Sequence, residues 1–258
     1  MNDAERAALA EQYADADNLD ARIRLHERYD TADRDWWRWV FDHYEGLPDG
    51  ADLLEVGCGT GYLWRDNADR IPDGWGLLLT DFSAGMADDA RATLAEAGVD
   101  AAVGVAAAES LPLPDDSVDA VVANHMLYHV DRDAALPELH RVLRPGGRLF
   151  ATTNSEANML ELRELLRAAT TYEPASVEEF SLEGGADELG RHFAEVRRSE
   201  RGSALHVPDL EPLVAYAASL PGVTDEQVAE FGALADDRLA DGPLEIRKSM
   251  GLFIARTR

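Results

Sequence analysis

Glu55, Gly57, Gly59, Gly61 and Asp81 are the residues of this chain whose types and spacing could hold a ligand for chemistry. The apolar run Leu53-Leu54-Glu55-Val56 meets Gly57-Cys58-Gly59-Thr60-Gly61. Twenty residues beyond Gly61, a second run, Trp75-Gly76-Leu77-Leu78-Leu79-Thr80, ends on the carboxylate of Asp81. Glycines at alternate positions let a backbone turn sharply and come close to a ligand, and an acid at the next strand end accepts hydrogen bonds from both hydroxyls of a ribose. Strand, glycine turn, helix, strand, acid is the order of a nucleotide-binding βαβ unit. A second set could move protons. His125, Tyr128 and His129 follow the run 117–123 and so fall at the C-terminal edge of a sheet, where open α/β sheets bind ligands. His129 is the first candidate for a general base, although a loop histidine also serves to pack or to orient.

The elements that must position these groups follow from hydrophobic periodicity. Helices are predicted over 4–14, 18–29 and 33–46, the last carrying Trp36, Trp37 and Trp39 before Gly46-Leu47-Pro48-Asp49-Gly50 breaks it. The tryptophans could floor a substrate site or simply pack. Strands near 51–56, 75–81, 101–105, 117–123 and 147–153 then alternate with helices near 61–68, 83–97 and 131–143, which implies a parallel sheet covered on both faces. Pro145-Gly146-Gly147 reads as a helix stop and a turn into the last of these strands. Beyond Asn154 the order changes to helices near 156–169 and 176–190, a strand near 192–200, two helices within 208–240 and a strand near 249–256. No linker separates two units, so one domain is expected: an N-terminal helical segment (1–47), a core (48–154), a helical cap with a late strand (155–245) and a final strand (246–258).

Composition narrows the partners. The formal charge of −26 comes from 50 acids against 24 bases, of which Lys248 is the one lysine. Such a surface repels nucleic acid and anionic membranes and stays soluble in high salt. No run approaches the ~20 apolar residues of a membrane span, and the N-terminal residues Met1-Asn2-Asp3-Ala4-Glu5-Arg6 lack a secretory pattern. The single cysteine, Cys58, sits in the glycine turn, which rules out an internal disulfide and fits a reducing cytoplasm. His43, His140 and His192 have no second ligand at metal spacing, so no metal site is expected. His26 and His206 have no local context that promotes them. Neither a Gly-x-Ser-x-Gly elbow nor a phosphate loop ending in Gly-Lys-Ser/Thr is present.

The turn departs from the dinucleotide pattern Gly-x-Gly-x-x-Gly, so the later blocks decide the nucleotide. Glu55 to Gly61, Thr80-Asp81-Phe82-Ser83, Ala108-Glu109-Ser110-Leu111-Pro112 and Leu143-Arg144-Pro145-Gly146-Gly147 resemble, in order and spacing, the class I S-adenosylmethionine-dependent methyltransferases. Asp116 to Val130 is similar to that family's strand and loop beneath the methionine part of the cofactor. Arg28-Tyr29-Asp30, Leu63 to Asn67, Asp81 to Met86, Phe180 to Glu183 and Leu213 to Tyr216 resemble its type-11-like small-molecule branch.

The resemblance implies a doubly wound, mostly parallel seven-stranded Rossmann-like sheet with an antiparallel C-terminal strand, and methyl transfer to a small organic acceptor. It also implies roles. Gly57, Cys58, Gly59 and Gly61 would lie along the carboxypropyl arm, with Glu55 behind the turn. Asp81 would hold the ribose, Phe82 the adenine face, and Ala108 and Glu109 the adenine edge. Asn124 would offer its carbonyl to the methionine amino group, and Tyr29 would close over the methyl group. Relatives often carry an acid just before the Ala108 position, where this chain has Ala107, so Glu109 or a backbone carbonyl must read the adenine amino group. Two rivals stand beside this reading: a non-catalytic S-adenosylmethionine-binding protein and a nicotinamide oxidoreductase.

Overall fold

Residues 24–172 and 180–258 are described in the computed structural model of the chain. The predicted helix over 4–14 and the first part of that over 18–29 lie outside them, as does part of that over 176–190. Seven strands form one sheet: β1 (Asp52–Val56), β2 (Gly76–Asp81), β3 (Ala102–Val105), β4 (Val118–Asn124), β5 (Leu143–Asn154), β6 (Glu195–Val207) and β7 (Leu244–Arg256). Their order is β3-β2-β1-β4-β5-β7-β6, with β1 to β5 parallel and β7 antiparallel to both β5 and β6. The order reverses direction at β1, so the crevice above β1 and β4 is the topological switch point, where such sheets bind ligands.

Local chemistry sets the helix boundaries. Ser83 accepts the Met86 N–H to start the helix Ala84–Ala97, and Gly98, at φ +70°, ends it in the left-handed conformation that glycine tolerates. Asp131 caps the helix Arg132–Val142. That helix stops at Val142 and the chain passes directly into β5, so Pro145-Gly146-Gly147 lies within the strand rather than at a helix stop. The pairing with β4 shifts register there, and a side chain at position 147 would meet the carbonyl oxygens of Arg144 at 2.8 Å and Asp119 at 3.1 Å.

Three apolar clusters result. Trp64, Phe150, Leu94 and the helix Trp36–Asp42 cover one sheet face, while Leu136, Leu139, Phe180 and Phe253 cover the other. The third is the cap, where Leu25, Leu162, Leu166, Leu213 and Phe231 pack on Leu205 and Ile246. In the cap, helices occupy Leu160–Ala169, Leu210–Ala218 and Asp225–Leu239, while the helix Gly185–Leu189 packs with the sheet-face cluster of Phe180 and Phe253.

The late strands differ most from the sequence expectation. β6 and β7 pair along their whole length, from Glu195↔Arg256 to Val207↔Leu244, whereas β5 reaches only Met250 of β7. Residues 244–249 and 202–207 therefore overhang the C-terminal edge of the parallel strands. The expected strand over 192–200 stops short of that overhang and the one over 249–256 includes only its residue 249. No helix among the described residues is long and apolar enough to cross a membrane.

Candidate functional site

The glycine turn leaves β1 with Gly57, Gly59 and Gly61 all at positive φ (+63°, +54° and +79°). The three are not equivalent. A side chain at Gly57 would strike Met126 at 2.9 Å, and one at Gly61 would touch Leu94, whereas one at Gly59 would meet nothing within 4 Å. Gly57 is thus required for packing against the β4 loop, and Gly59 turns open backbone outward. Asp81 closes the turn from β2: its Oδ2 accepts the Gly59 N–H at 2.9 Å and its Oδ1 the Ser83 N–H at 2.8 Å. Burial raises the Asp81 pKa, opposed by the N–H groups of Ser83, Gly59 and Phe82. Three N–H groups thus share the carboxylate's roughly four acceptor positions, which leaves capacity for a ligand.

Around this turn the predicted residues divide. Phe82 is 40% exposed, so it is no core residue. Ala108 is buried in a sheet-face cluster and can offer a ligand only backbone, while the Glu109 carboxylate accepts the Asp131 N–H at 3.3 Å. Cys58 is buried, and burial raises its thiol pKa far above the usual range. Tyr29 packs in the cap cluster with its hydroxyl on Asp209 Oδ2 at 3.3 Å, so its position is set by the cap rather than by the glycine turn.

Behind the turn runs a buried polar chain. Glu55 accepts from Trp64 Nε1 at 2.6 Å and from Asn124 Nδ2 at 2.8 Å. Asn124 Oδ1 accepts from Thr152 at 3.2 Å, and Thr152 Oγ1 accepts the His125 N–H at 3.1 Å. Burial pushes the Glu55 carboxyl up to about 8, against the pull of Asn124 and Trp64. The side chain of Asn124 thus has a structural task that its assignment through a backbone carbonyl did not include. Trp64, in the block Leu63 to Asn67, and Thr152, in the strand over 147–153, were given no role at the site from sequence.

The chain ends at His125, whose φ is +49°. Its ring lies 5.5 Å from that of Trp36, and burial, Lys248 and His129 together hold its pKa down to about 4. Tyr128 and His129 follow on the 3-10 turn Leu127–His129, their rings 4.5 Å apart. His26, which the sequence gave no reason to promote, joins this side. Burial, Lys248 and His125 bring its pKa to about 3. Trp36, Trp37 and Trp39 serve two ends: all three pack against a sheet-face cluster, while Trp36, stacked on Trp39 at 5.1 Å, also faces His125.

The profile of a family described as "Methyltransferase domain" matches residues 54–151, from β1 through the crevice edge of β5. Residues 54–151 are thus similar to that family over 98 of the chain's 258 residues. The chain is 42% identical over 116 residues to a ubiquinone/menaquinone biosynthesis C-methyltransferase of Chromobacterium violaceum, a match covering 43% of this chain and 48% of that protein. It is 39% identical over 127 residues to a malonyl-[acyl-carrier protein] O-methyltransferase of Methylococcus capsulatus, covering 48% and 45%. The match thus spans about half the length of these curated relatives. The YcgJ protein of Bacillus subtilis shares the fold at a TM-score of 0.63 and 18% identity, over 86% of this chain and 97% of that one. The matched segment contains the glycine turn, Asp81, Glu109 and the three candidate proton carriers. His26, Trp36 and Lys248 lie outside it.

Proposed function

We propose that the chain transfers a methyl group from S-adenosylmethionine to a small organic acceptor in the cytoplasm. The observation that carries this reading is the turn at Gly59, where outward-facing backbone is closed by an acid with acceptor capacity to spare. The two relatives above, a C- and an O-methyltransferase, support the reaction class and differ in the atom methylated.

The residues fit that cofactor. Gly57, Cys58, Gly59 and Gly61 supply main chain for the carboxypropyl arm, Asp81 accepts from the ribose hydroxyls, and the exposed ring of Phe82 offers a face to adenine. Ala108 contributes backbone and Glu109 its carboxylate at the adenine edge. When bound, S-adenosylmethionine supplies an electrophilic methyl carbon on a sulfonium. Such a displacement is in line, so the chain's task is alignment and exclusion of water, and positioning can contribute ~7–11 kcal/mol. Glu55 and Asn124 set the floor of the site and, through Thr152, the backbone of His125. Held neutral by its surroundings, His125 can accept a hydrogen bond from the acceptor, with His129 and Tyr128 behind it as candidates to carry the proton away. Tyr29 acts by holding the cap over the crevice.

Calorimetry with S-adenosylhomocysteine and with NAD tests the cofactor, with binding expected for the first and none for the second. The reverse result would support the oxidoreductase rival. Formation of S-adenosylhomocysteine when S-adenosylmethionine is incubated with a metabolite extract separates turnover from mere binding.

A further inference from the structure

Under the β6–β7 overhang lies a group of polar side chains that the cofactor does not use. Lys248, the one lysine of the chain, is 5% exposed and paired with Asp30. Asp30 is anchored to β6 by a bridge to Leu205. Arg201, on β6, holds its guanidinium carbon 6.0 Å from the centre of the Trp36 ring, and Trp36 in turn faces His125. Within this group Arg201 Nη2, Trp36 Nε1 and His26 Nδ1 are buried without a hydrogen-bond partner among the described residues.

The chemistry of these atoms is selective. Arg201 Nη2 and Trp36 Nε1 are donors only, so a carbonyl-type or anionic oxygen can satisfy both and a ligand donor can satisfy neither. A buried donor left unmade costs about 1–3 kcal/mol, more when charged, so two in one group mark a position that a ligand completes. Charge narrows the choice. Lys248 is compensated by Asp30, whereas Arg201 forms no ion pair among the described residues. Asp35 also lies within electrostatic reach of Lys248, so the choice rests on Arg201 as the cation without an ion pair among the described residues, and its planar guanidinium fork suits a carboxylate. The remainder of the surface, at −26 overall, would repel such a ligand, so the attraction has to be local.

We propose that the methyl acceptor is a monocarboxylate whose carboxylate rests on Arg201 and Trp36, beside His26 and Lys248, with its reacting end toward His125. This inference deepens the proposed function and rests on it for the word acceptor, but the anion seat itself can be tested separately.

Benzoate, its neutral isostere benzamide and inorganic phosphate serve as probes, titrated calorimetrically with and without saturating S-adenosylhomocysteine. Benzoate is expected to bind at least tenfold more tightly than benzamide or phosphate. Arg201→Gln should weaken benzoate tenfold or more and leave benzamide unchanged. Trp36→Phe, which keeps a ring and removes the donor, should weaken benzoate several-fold. Equal affinity for benzoate and benzamide, or a benzoate affinity untouched by Arg201→Gln, overturns the proposal, and phosphate binding more tightly than benzoate overturns the carboxylate assignment. If Arg201→Gln fails to fold, Trp36→Phe carries the test alone, and an unchanged benzoate affinity then counts against the proposal. Loss of S-adenosylhomocysteine binding with the benzoate contrast intact would sink the cofactor reading and spare the seat.

Discussion

At the ends of β1 and β2 the crevice is made of a glycine turn, the acid that holds its main chain and an exposed ring, all drawn from residues 55–82. At the β6–β7 overhang it is made of side chains, two of them cationic, gathered from positions 26, 30, 36, 125, 201 and 248. One half holds its shape through backbone geometry and the other through a buried ion pair. A ligand's common part suits the first kind of surface and its variable part the second, since side chains can change without disturbing a turn.

The comparison is most exposed to attack at the ion pair. Asp30→Asn leaves the buried Lys248 ammonium without its counter-charge and should cost about 3–5 kcal/mol in urea melts. The double variant with Lys248→Met should recover most of that loss. A single-variant loss below about 1 kcal/mol, the scale of an exposed pair, would show that charge does not hold this half together.

On the other side, Glu55→Gln presents an amide N–H where two donors expect acceptors, and should cost about 1–3 kcal/mol. It should also remove a pH dependence. The Glu55 carboxyl sits at about 8 in the fold against an ordinary 4.5, so it is neutral in both states below 4.5. Between those values the unfolded chain ionises and the folded one resists, and stability falls as pH rises. Melts of the variant across that range should be flatter than those of the wild type.

Phe82→Ala is a smaller change. The ring is 40% exposed, so stability should move by no more than about 0.5 kcal/mol, while cofactor affinity falls by about 0.5–1.5 kcal/mol if the ring faces adenine. Smallest of all is the effect of salt. Screening of the −26 surface should raise the thermal midpoint in molar potassium chloride by a few degrees, and equal midpoints in dilute buffer would contradict that reading.

The two halves also differ in how far they could be read from sequence. Gly57 to Gly61 and Asp81 act through backbone and a strand end, both fixed by neighbours in the chain, so their spacing carried the βαβ unit and the switch point. His26 had no such context, because its neighbours Lys248 and His125 arrive from distant segments. Arg201 and Lys248 were hidden for a related reason. The strands were expected over 192–200 and 249–256, and the overhang exists only because β6 and β7 continue pairing past β5. Its signal was present in Leu244-Glu245-Ile246-Arg247-Lys248, where buried and exposed residues alternate at first and a lysine then takes a buried position. Asn124 was expected to act through its carbonyl, since only tertiary structure brings its side chain to Glu55.

The central claim is that the turn closed by Asp81 is the cofactor half and that the overhang is a separate one. Calorimetric titration of S-adenosylhomocysteine into the wild type, Asp81→Ala and Arg201→Gln tests it most directly. At about 1.5–3 kcal/mol per hydrogen bond to a charged group, Asp81→Ala should lose tenfold or more in affinity, while Arg201→Gln stays within about twofold of the wild type. Wild-type affinity in Asp81→Ala would contradict the account.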